Sequence, residues 1–282
     1  MLSLHSIKFH LDYPPELTTR TQRCPERLTI EEPIFVDPCG TKEPTSNPFL
    51  HLLHIFKSID EVSVSGLGNN YKCFLVPTSS KFLIRSLEMD VGSGNPSSFL
   101  DSVDLGRLQE LRFACLSEDQ VDILKAICIN STNLHTLFLD FSRMGGMGDE
   151  PGLHFIEWDK GDIFCGPHLS FVKVEITLSQ GLERFNSMMS NTLQRLLLAM
   201  RQAVQKVALS IHLNFYGNKG LFEEFDWHGI RHKLRNMQNL ERVCFRVPKE
   251  CMVNRVTSEE LYDMVRLEVL PLQDSIEVEI DI

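Results

Sequence analysis

A six-residue pattern of apolar residues, Leu-x-x-Leu-x-Leu with apolar synonyms, recurs along this chain. Eight copies begin at Leu4, Ile59, Ile84, Leu108, Leu134, Leu169, Val204 and Leu240. Residues 275–280 form a ninth copy that keeps the alternation but not the full pattern. In each copy the fourth and sixth positions are apolar, whereas the third and fifth are mostly polar. Because successive side chains of a strand point to opposite faces, each copy predicts a short, half-buried β-strand.

The segments between copies carry helical signals instead. Capping boxes occur at residues 117–120 and 257–260, Asp226 precedes a helical stretch at 227–237, and residues 182–202 carry a broad apolar stripe at helical spacing. Strands that alternate with helices predict parallel strands joined by right-handed crossovers. Successive copies after the first lie 25, 24, 26, 35, 35 and 36 positions apart. We therefore predict an α/β fold, an irregular leucine-rich-repeat solenoid with its nine strands parallel and in chain order.

Two segments interrupt the repeats. Residues 12–48 contain seven of the 13 prolines, and we interpret them as an irregular insertion. Residues 142–165 include the glycine-rich run 145–148, and we interpret them as a loop insertion. We therefore predict that residues 1–282 form a single leucine-rich-repeat domain with these two insertions.

Composition narrows the class of protein. The net charge is −10 and no basic run occurs, which argues against nucleic-acid binding. No apolar stretch approaches the length that spans a bilayer, and the first residues lack the features of a signal peptide, so we expect no membrane association. The eight cysteines form no Cys-x-x-Cys pair, which indicates reduced thiols. We expect an intracellular protein, cytoplasmic or nuclear.

Three groups of residues have the types that catalysis or ligand binding uses, and we interpret each as structural. His51 and His54 have metal-ligand spacing, but no carboxylate cluster stands with them. Cys165 and His168 flank a Gly-Pro turn. The glycine-rich run at 145–148 leads to acidic residues that would repel phosphate. We therefore predict no catalytic residue, no cofactor and no metal site, and a protein that is not an enzyme.

Two alternatives stay open. One is a hydrolase or transferase on an α/β scaffold, which would need a nucleophile and a base that no recognisable motif supplies. The other is a truncated remnant without a partner.

The polar strand positions are the remaining candidate for function. If the strands line one wall of the array, their third and fifth positions form a continuous surface. We predict that a protein partner binds there, through Arg112, Phe138, Phe171, Lys173, Lys206 and Arg242. The aromatic residues are candidate hot spots, and the basic ones favour an acidic partner segment. The alternative is that the insertions at 12–48 or 142–165 cover this surface.

The degenerate repeats, the segment Phe225-Asp226-Trp227 and the copy that begins at Leu240 carry a resemblance to a known family. The chain resembles the carboxy-terminal leucine-rich-repeat region of F-box-like proteins of mushroom-forming fungi. The resemblance implies substrate recognition for an SCF-type ubiquitin ligase, to which the F-box connects the protein. Residues 1–282 contain no Leu-Pro-x-Glu phrase of the kind that opens an F-box. We therefore expect this chain alone not to bind a Skp-type adaptor.

Overall fold

The computed structural model describes residues 7–10, 27–31, 58–65, 81–90, 100–101, 103–114, 119–142, 168–179, 183–200, 204–214, 225–247 and 257–281. The chain forms two compact units. The first comprises Met1–Ala114 and Asn130–Leu134, and the second comprises Cys115–Ile129 and His135–Ile282.

The first unit is built on strands. These are β1 (Ile7–His10), β2 (Arg27–Glu31), β3 (Ser58–Ser65), β4 (Phe82–Asp90), β5 (Val103–Asp104) and β6 (Glu110–Ala114). Strands β2, β3, β4 and β6 are parallel neighbours in that order, and the short β5 pairs with β4. Strand β1 is antiparallel to β2.

This arrangement corrects two expectations at the start of the chain. The first copy of the pattern was predicted to lie parallel to the second, but β2 stands between them and β1 is antiparallel to it. Strand β2 also lies within residues 12–48, which were predicted to be irregular. Its sequence alternates polar and apolar residues, a signal that Pro25 and Pro33 on either side obscured. An antiparallel neighbour needs no helical crossover, so no helix was required between these strands.

The second unit alternates strands and helices. Its strands are β7 (Thr136–Asp140), β8 (Phe171–Ser179), β9 (Lys206–Asn214), β10 (Arg242–Arg246) and β11 (Glu277–Asp281). Its helices are α1 (Asp119–Asn130), α2 (Glu183–Ala199), α3 (Trp227–Arg235) and α4 (Ser258–Val269), with the last residue of α1 assigned to the first unit. Strands β7 to β11 are parallel neighbours in chain order, as predicted for the last five copies.

The repeat sets the strand register within each unit. In the second unit the fourth positions, Leu137, Val172, Val207, Val243 and Val278, are paired in one row. In the first unit the same position aligns Val62, Leu87 and Leu111. The backbone repeats too, because the amides of Phe171, Lys206 and Arg242 each donate to the carbonyl of the second position of an earlier copy, 3.0–3.2 Å away.

The fourth and sixth positions carry the core in most of the copies that the structure describes. Eight of them, from the copies that begin at Leu108, Leu134, Leu169 and Val204, are at most 1% exposed: Leu111, Phe113, Leu137, Leu139, Val172, Val174, Val207 and Leu209. In the ninth copy the same two positions, Val278 and Ile280, are only partly buried, so the prediction of burial is wrong there. The apolar faces of the helices are buried as well, for example at Leu193, Leu197 and Ile230. Because the strands follow chain order and right-handed crossovers are the rule, successive helices cover the same face of the sheet. The chain is thus an α/β protein of mainly parallel strands with flanking helices.

Two helix starts follow the sequence signals. The Asp226 carboxylate accepts a hydrogen bond from the Gly229 amide at the start of α3. Thr257 and Glu260 form the predicted capping box of α4. The first two residues of the other predicted box, at 117–120, lie outside the described residues. In the part of the chain that is described, no helix has the length and apolar character needed to cross a membrane.

Candidate functional site

The strand face opposite the core of the second unit, here called the outward face, carries the third, fifth and seventh positions of β7 to β11. Three register rows cross it. The first row is Thr136, Phe171, Lys206, Arg242 and Glu277. The second row is Phe138, Lys173, Ala208, Cys244 and Glu279. The third row is Asp140, Glu175, Ser210, Arg246 and Asp281.

An aromatic pair occupies the β7–β8 part of this face. The rings of Phe138 and Phe171 meet edge to face, with centroids 5.7 Å apart and planes at 82°. The Lys206 ammonium lies 5.2 Å from the centroid of the Phe171 ring, within the range of a cation–π contact. Both phenylalanines are partly exposed. The diagonal relation of the two strand positions brings the rings together, because Phe138 is paired with Lys173 rather than with Phe171.

Most basic side chains of the outward face contact carboxylates of the same face. Lys173 forms an ion pair with Glu175, and Arg242 forms one with Glu277. The hydrogen bond from Arg242 lowers the pKa of the Glu277 carboxyl and raises that of the guanidinium. Arg246 lies 3.2 Å from Asp281. The surface is therefore one of matched charges around the aromatic pair, and not the simple basic patch that the sequence indicated.

The middle of the outward face holds small side chains. Ala208 and Ser210 are buried although they stand on the polar face, because the longer side chains of β8 and β10 flank them in register. The neighbouring Cys244 is partly buried. Its burial, and to a smaller extent the negative charge of Glu279, raises the pKa of its thiol. Cys128 on α1 is buried, and this burial raises the pKa of its thiol to about 12. Neither thiol is poised to be a thiolate nucleophile.

The structure brings most of the predicted binding residues together. Phe138, Phe171, Lys173 and Lys206 cluster, and Arg242 stands in the same register row as Phe171 and Lys206. Arg112 belongs to the first unit, where its guanidinium lies 3.4 Å from the Glu88 carboxylate on the corresponding polar face.

The other candidate groups fall mainly on undescribed residues. His51, His54, Cys165 and the run 145–148 lie outside the described residues, as does all of the 142–165 insertion except Ser142. His168 is exposed and stacks on His135, with ring centroids 5.6 Å apart. Among the residues that are described, no group of three or more His, Cys, Asp and Glu side chains could hold a metal ion.

Sequence reasoning missed the acidic side of the outward face. Glu277, Glu279 and Asp281 alternate along β11, and this period-two pattern of carboxylates is visible in the sequence. The contact of Glu277 with Arg242 and that of Asp281 with Arg246 depend on the β10–β11 register, which only the fold supplies.

Comparison with known proteins adds no relative. A scan against protein-family models, a search of curated proteins and a search of solved structures each gave no match to this chain.

Proposed function

We propose that this protein is a protein-interaction module, an irregular leucine-rich-repeat solenoid whose second unit binds a partner on its outward face. The observation that carries the proposal is the partly exposed Phe138–Phe171 pair, with Lys206 over one ring. In line with the resemblance to F-box-like proteins, the partner would be a substrate recognised for an SCF-type ubiquitin ligase.

The two aromatic rings are the part of the outward face that we expect to contribute most to binding. Binding energy at protein interfaces concentrates in a few large side chains near the centre of the contact. The edge-to-face contact and the ammonium hold the Phe171 ring in place before binding, so less side-chain entropy is lost when a partner packs on it. The ion pairs around the rings supply a polar rim, as interfaces generally have.

The repeat architecture supports the proposal in a second way. The pattern positions are aligned in one register across five strands, so that polar side chains of five copies share one surface. A surface assembled from repeats in this way is the binding surface that solenoid proteins use.

Charge narrows the partner class. Lys173 and Arg242 already contact carboxylates, whereas the ammonium of Lys206 stands over the aromatic ring and has three donor hydrogens. We propose that the partner places an apolar side chain against the phenylalanines and an acidic group against Lys206. The remaining basic residues add mainly to the association rate.

The test compares proteins captured from cells by proximity labelling with three versions of the chain: wild type, Phe138→Ala with Phe171→Ala, and Tyr262→Ala with Leu267→Ala. The control pair also removes two exposed apolar side chains of the second unit, but from α4. We expect partners that are lost with the phenylalanine variant and retained with the control. For a purified partner, each phenylalanine truncation should cost about 2 kcal/mol or more of binding free energy.

Equal thermal stability of the two variants is required for this comparison. Partners that both variants retain would place binding on the helices or on the first unit, and the proposal would then be wrong.

A further inference from the structure

Strand β11 is the last strand of the sheet as the structure describes it, and its outer edge differs from the aromatic site in both position and chemistry. We propose that this edge binds an extended segment of a partner protein in which basic and apolar residues alternate, by strand addition to β11. This inference is independent of the function proposed for the outward face.

The backbone direction of β11 identifies the groups available at the edge. The Glu277 amide donates to the Glu241 carbonyl at 2.9 Å, and the Asp281 carbonyl accepts from the Val247 amide at 2.9 Å. Residues 277, 279 and 281 therefore turn their backbone groups toward β10. Because consecutive residues of a strand face opposite neighbours, Val278 and Ile280 turn their N–H and C=O groups toward the outer edge. An added strand would pair with those groups.

The side chains specify the composition of the added strand. Glu277, Glu279 and Asp281 project on the outward face, and Val278 and Ile280 project on the core side, where they are only partly buried. A strand next to β11 would need apolar side chains on the core side to complete the cover of Val278 and Ile280. On the other face it would need side chains that suit three carboxylates.

The β10–β11 pair shows which side chains those are. On the inner side of β11, Arg242 meets Glu277 and Arg246 meets Asp281 in register, with Val243 and Phe245 on the core side between them. Strand β10 is itself a basic and apolar alternation, Arg-Val-Cys-Phe-Arg. A carboxylate accepts several hydrogen bonds, so Glu277 and Asp281 can each contact a second cation from the outer side, and Glu279 can contact one there too. The overall charge of −10 also attracts a basic segment.

A second copy of this chain is a poorer occupant. Two β11 strands paired antiparallel about a twofold axis would set Glu277 opposite Asp281 and Glu279 opposite its own copy, and like charges directly opposite are destabilising. Charged residues on an edge strand commonly prevent such self-pairing.

The experiment uses the full chain and a fluorescent peptide of four Arg-Val repeats, with binding followed by anisotropy. Two control peptides are four Glu-Val repeats and a block sequence of four Arg followed by four Val. We expect saturable binding of the alternating basic peptide, at least about tenfold weaker binding of the block peptide, and none of the acidic peptide. Equal binding of the alternating and block peptides would show charge attraction without strand pairing, and would overturn the proposal.

Variants of the protein separate the contribution of backbone pairing to peptide binding from the contribution of charge. Val278→Pro removes an outward-facing amide without breaking a bond to β10, and should weaken binding by about tenfold or more, whereas Val278→Ala keeps that amide and should retain binding. Glu279→Lys should weaken binding, and Asp263→Lys, an equal charge change on α4, should not. The proposal would be contradicted if Val278→Pro and Val278→Ala weakened peptide binding equally. It would also be contradicted if Glu279→Lys and Asp263→Lys did so.

Two further outcomes would show either that the β11 edge binds something else or that the peptide binds at another site. A dimer of the free protein that Val278→Pro abolishes would place a second copy on β11. Loss of peptide binding by the Phe138→Ala, Phe171→Ala protein, with β11 intact, would place the peptide on the aromatic site. Each outcome contradicts the inference, and neither contradicts the function proposed for the outward face.

Discussion

At the scale of single residues, burial governs the chemistry of the cysteines that the structure describes. Cys128 lies in the core on α1, and its environment favours the neutral thiol. Cys244 stands on the outward face with Glu279 near it, and it too favours the neutral form. A thiolate is favoured only where cations or a helix N-terminus outweigh burial, and near Cys244 the charges of Lys206 and Arg246 contribute less than burial and the neighbouring carboxylates. These two cysteines therefore serve as small apolar residues.

The buried thiol of Cys128 makes stability depend on alkaline pH. Its pKa is about 12 in the folded protein, against 9.0 for an unperturbed thiol. The unfolded chain therefore loses this proton first as pH rises above 9, and the free energy of unfolding falls by about 1.4 kcal/mol per pH unit between the two pKa values. We expect Cys128→Ala to be less stable than wild type at pH 7 but to show a shallower loss from pH 9 to 11. Urea unfolding at a series of pH values measures this, and parallel curves for the two proteins would contradict it.

At the scale of the elements, the strands take their register from the repeat. The fourth and sixth positions carry the buried side chains, and one residue of slippage would move all of them to the outward face. The pairing of equivalent positions is thus the arrangement that buries the apolar positions of β7 to β10 together and turns those of β11 to the same side.

Truncation of a fourth-position residue tests this burial. Leu137 on β7 is fully buried, so Leu137→Ala should lower the free energy of unfolding by about 2–5 kcal/mol. The adjacent Thr136 is on the opposite face and partly exposed, and Thr136→Ala should cost less than about 1 kcal/mol. If chemical denaturation gave similar losses of unfolding free energy for the two variants, β7 would not have one buried and one exposed face.

The helix starts depend on local hydrogen bonds. Asp226 accepts from the Gly229 amide and also receives a hydrogen bond from Gln194 of α2 at 2.8 Å, so it joins two helices. We expect Asp226→Ala to cost about 1 kcal/mol or somewhat more in thermal or chemical unfolding. Asp226→Asn should cost less, because Asn is an equally good N-cap and its NH2 group can donate to the Gln194 oxygen once that amide turns over. An equal loss for Asn and Ala would assign the effect to the negative charge or to the Gln194 contact, and not to the cap.

At the scale of the whole molecule, net charge and local charge act in opposite directions on an acidic partner. The chain carries −10, whereas the aromatic site carries Lys173 and Lys206. Long-range repulsion is screened by salt, and the Debye length falls from about 10 Å at 0.1 M to about 3 Å at 1 M.

For an acidic partner of the outward face, we expect Lys173→Glu to slow association more than it speeds dissociation. The slowing should diminish as salt rises, because the added repulsion is screened. Stopped-flow or surface-plasmon measurements on wild type and the variant at several salt concentrations test this. An association rate that the substitution leaves unchanged at low salt would show that Lys173 does not face the partner.

The repeat pattern and the capping signals were enough to predict most of the strands, their two faces, eight core residues at the fourth and sixth positions, and the caps at Asp226 and Thr257. These are properties of period and of near neighbours, which a linear pattern records directly. The fold was needed to show that β2 lies between the first two copies of the pattern, and that Lys206 lies over Phe171. The fold also shows that Arg242 and Lys173 contact carboxylates. Those features arise between residues on different strands, and their partners follow from register and strand order, which no single segment contains.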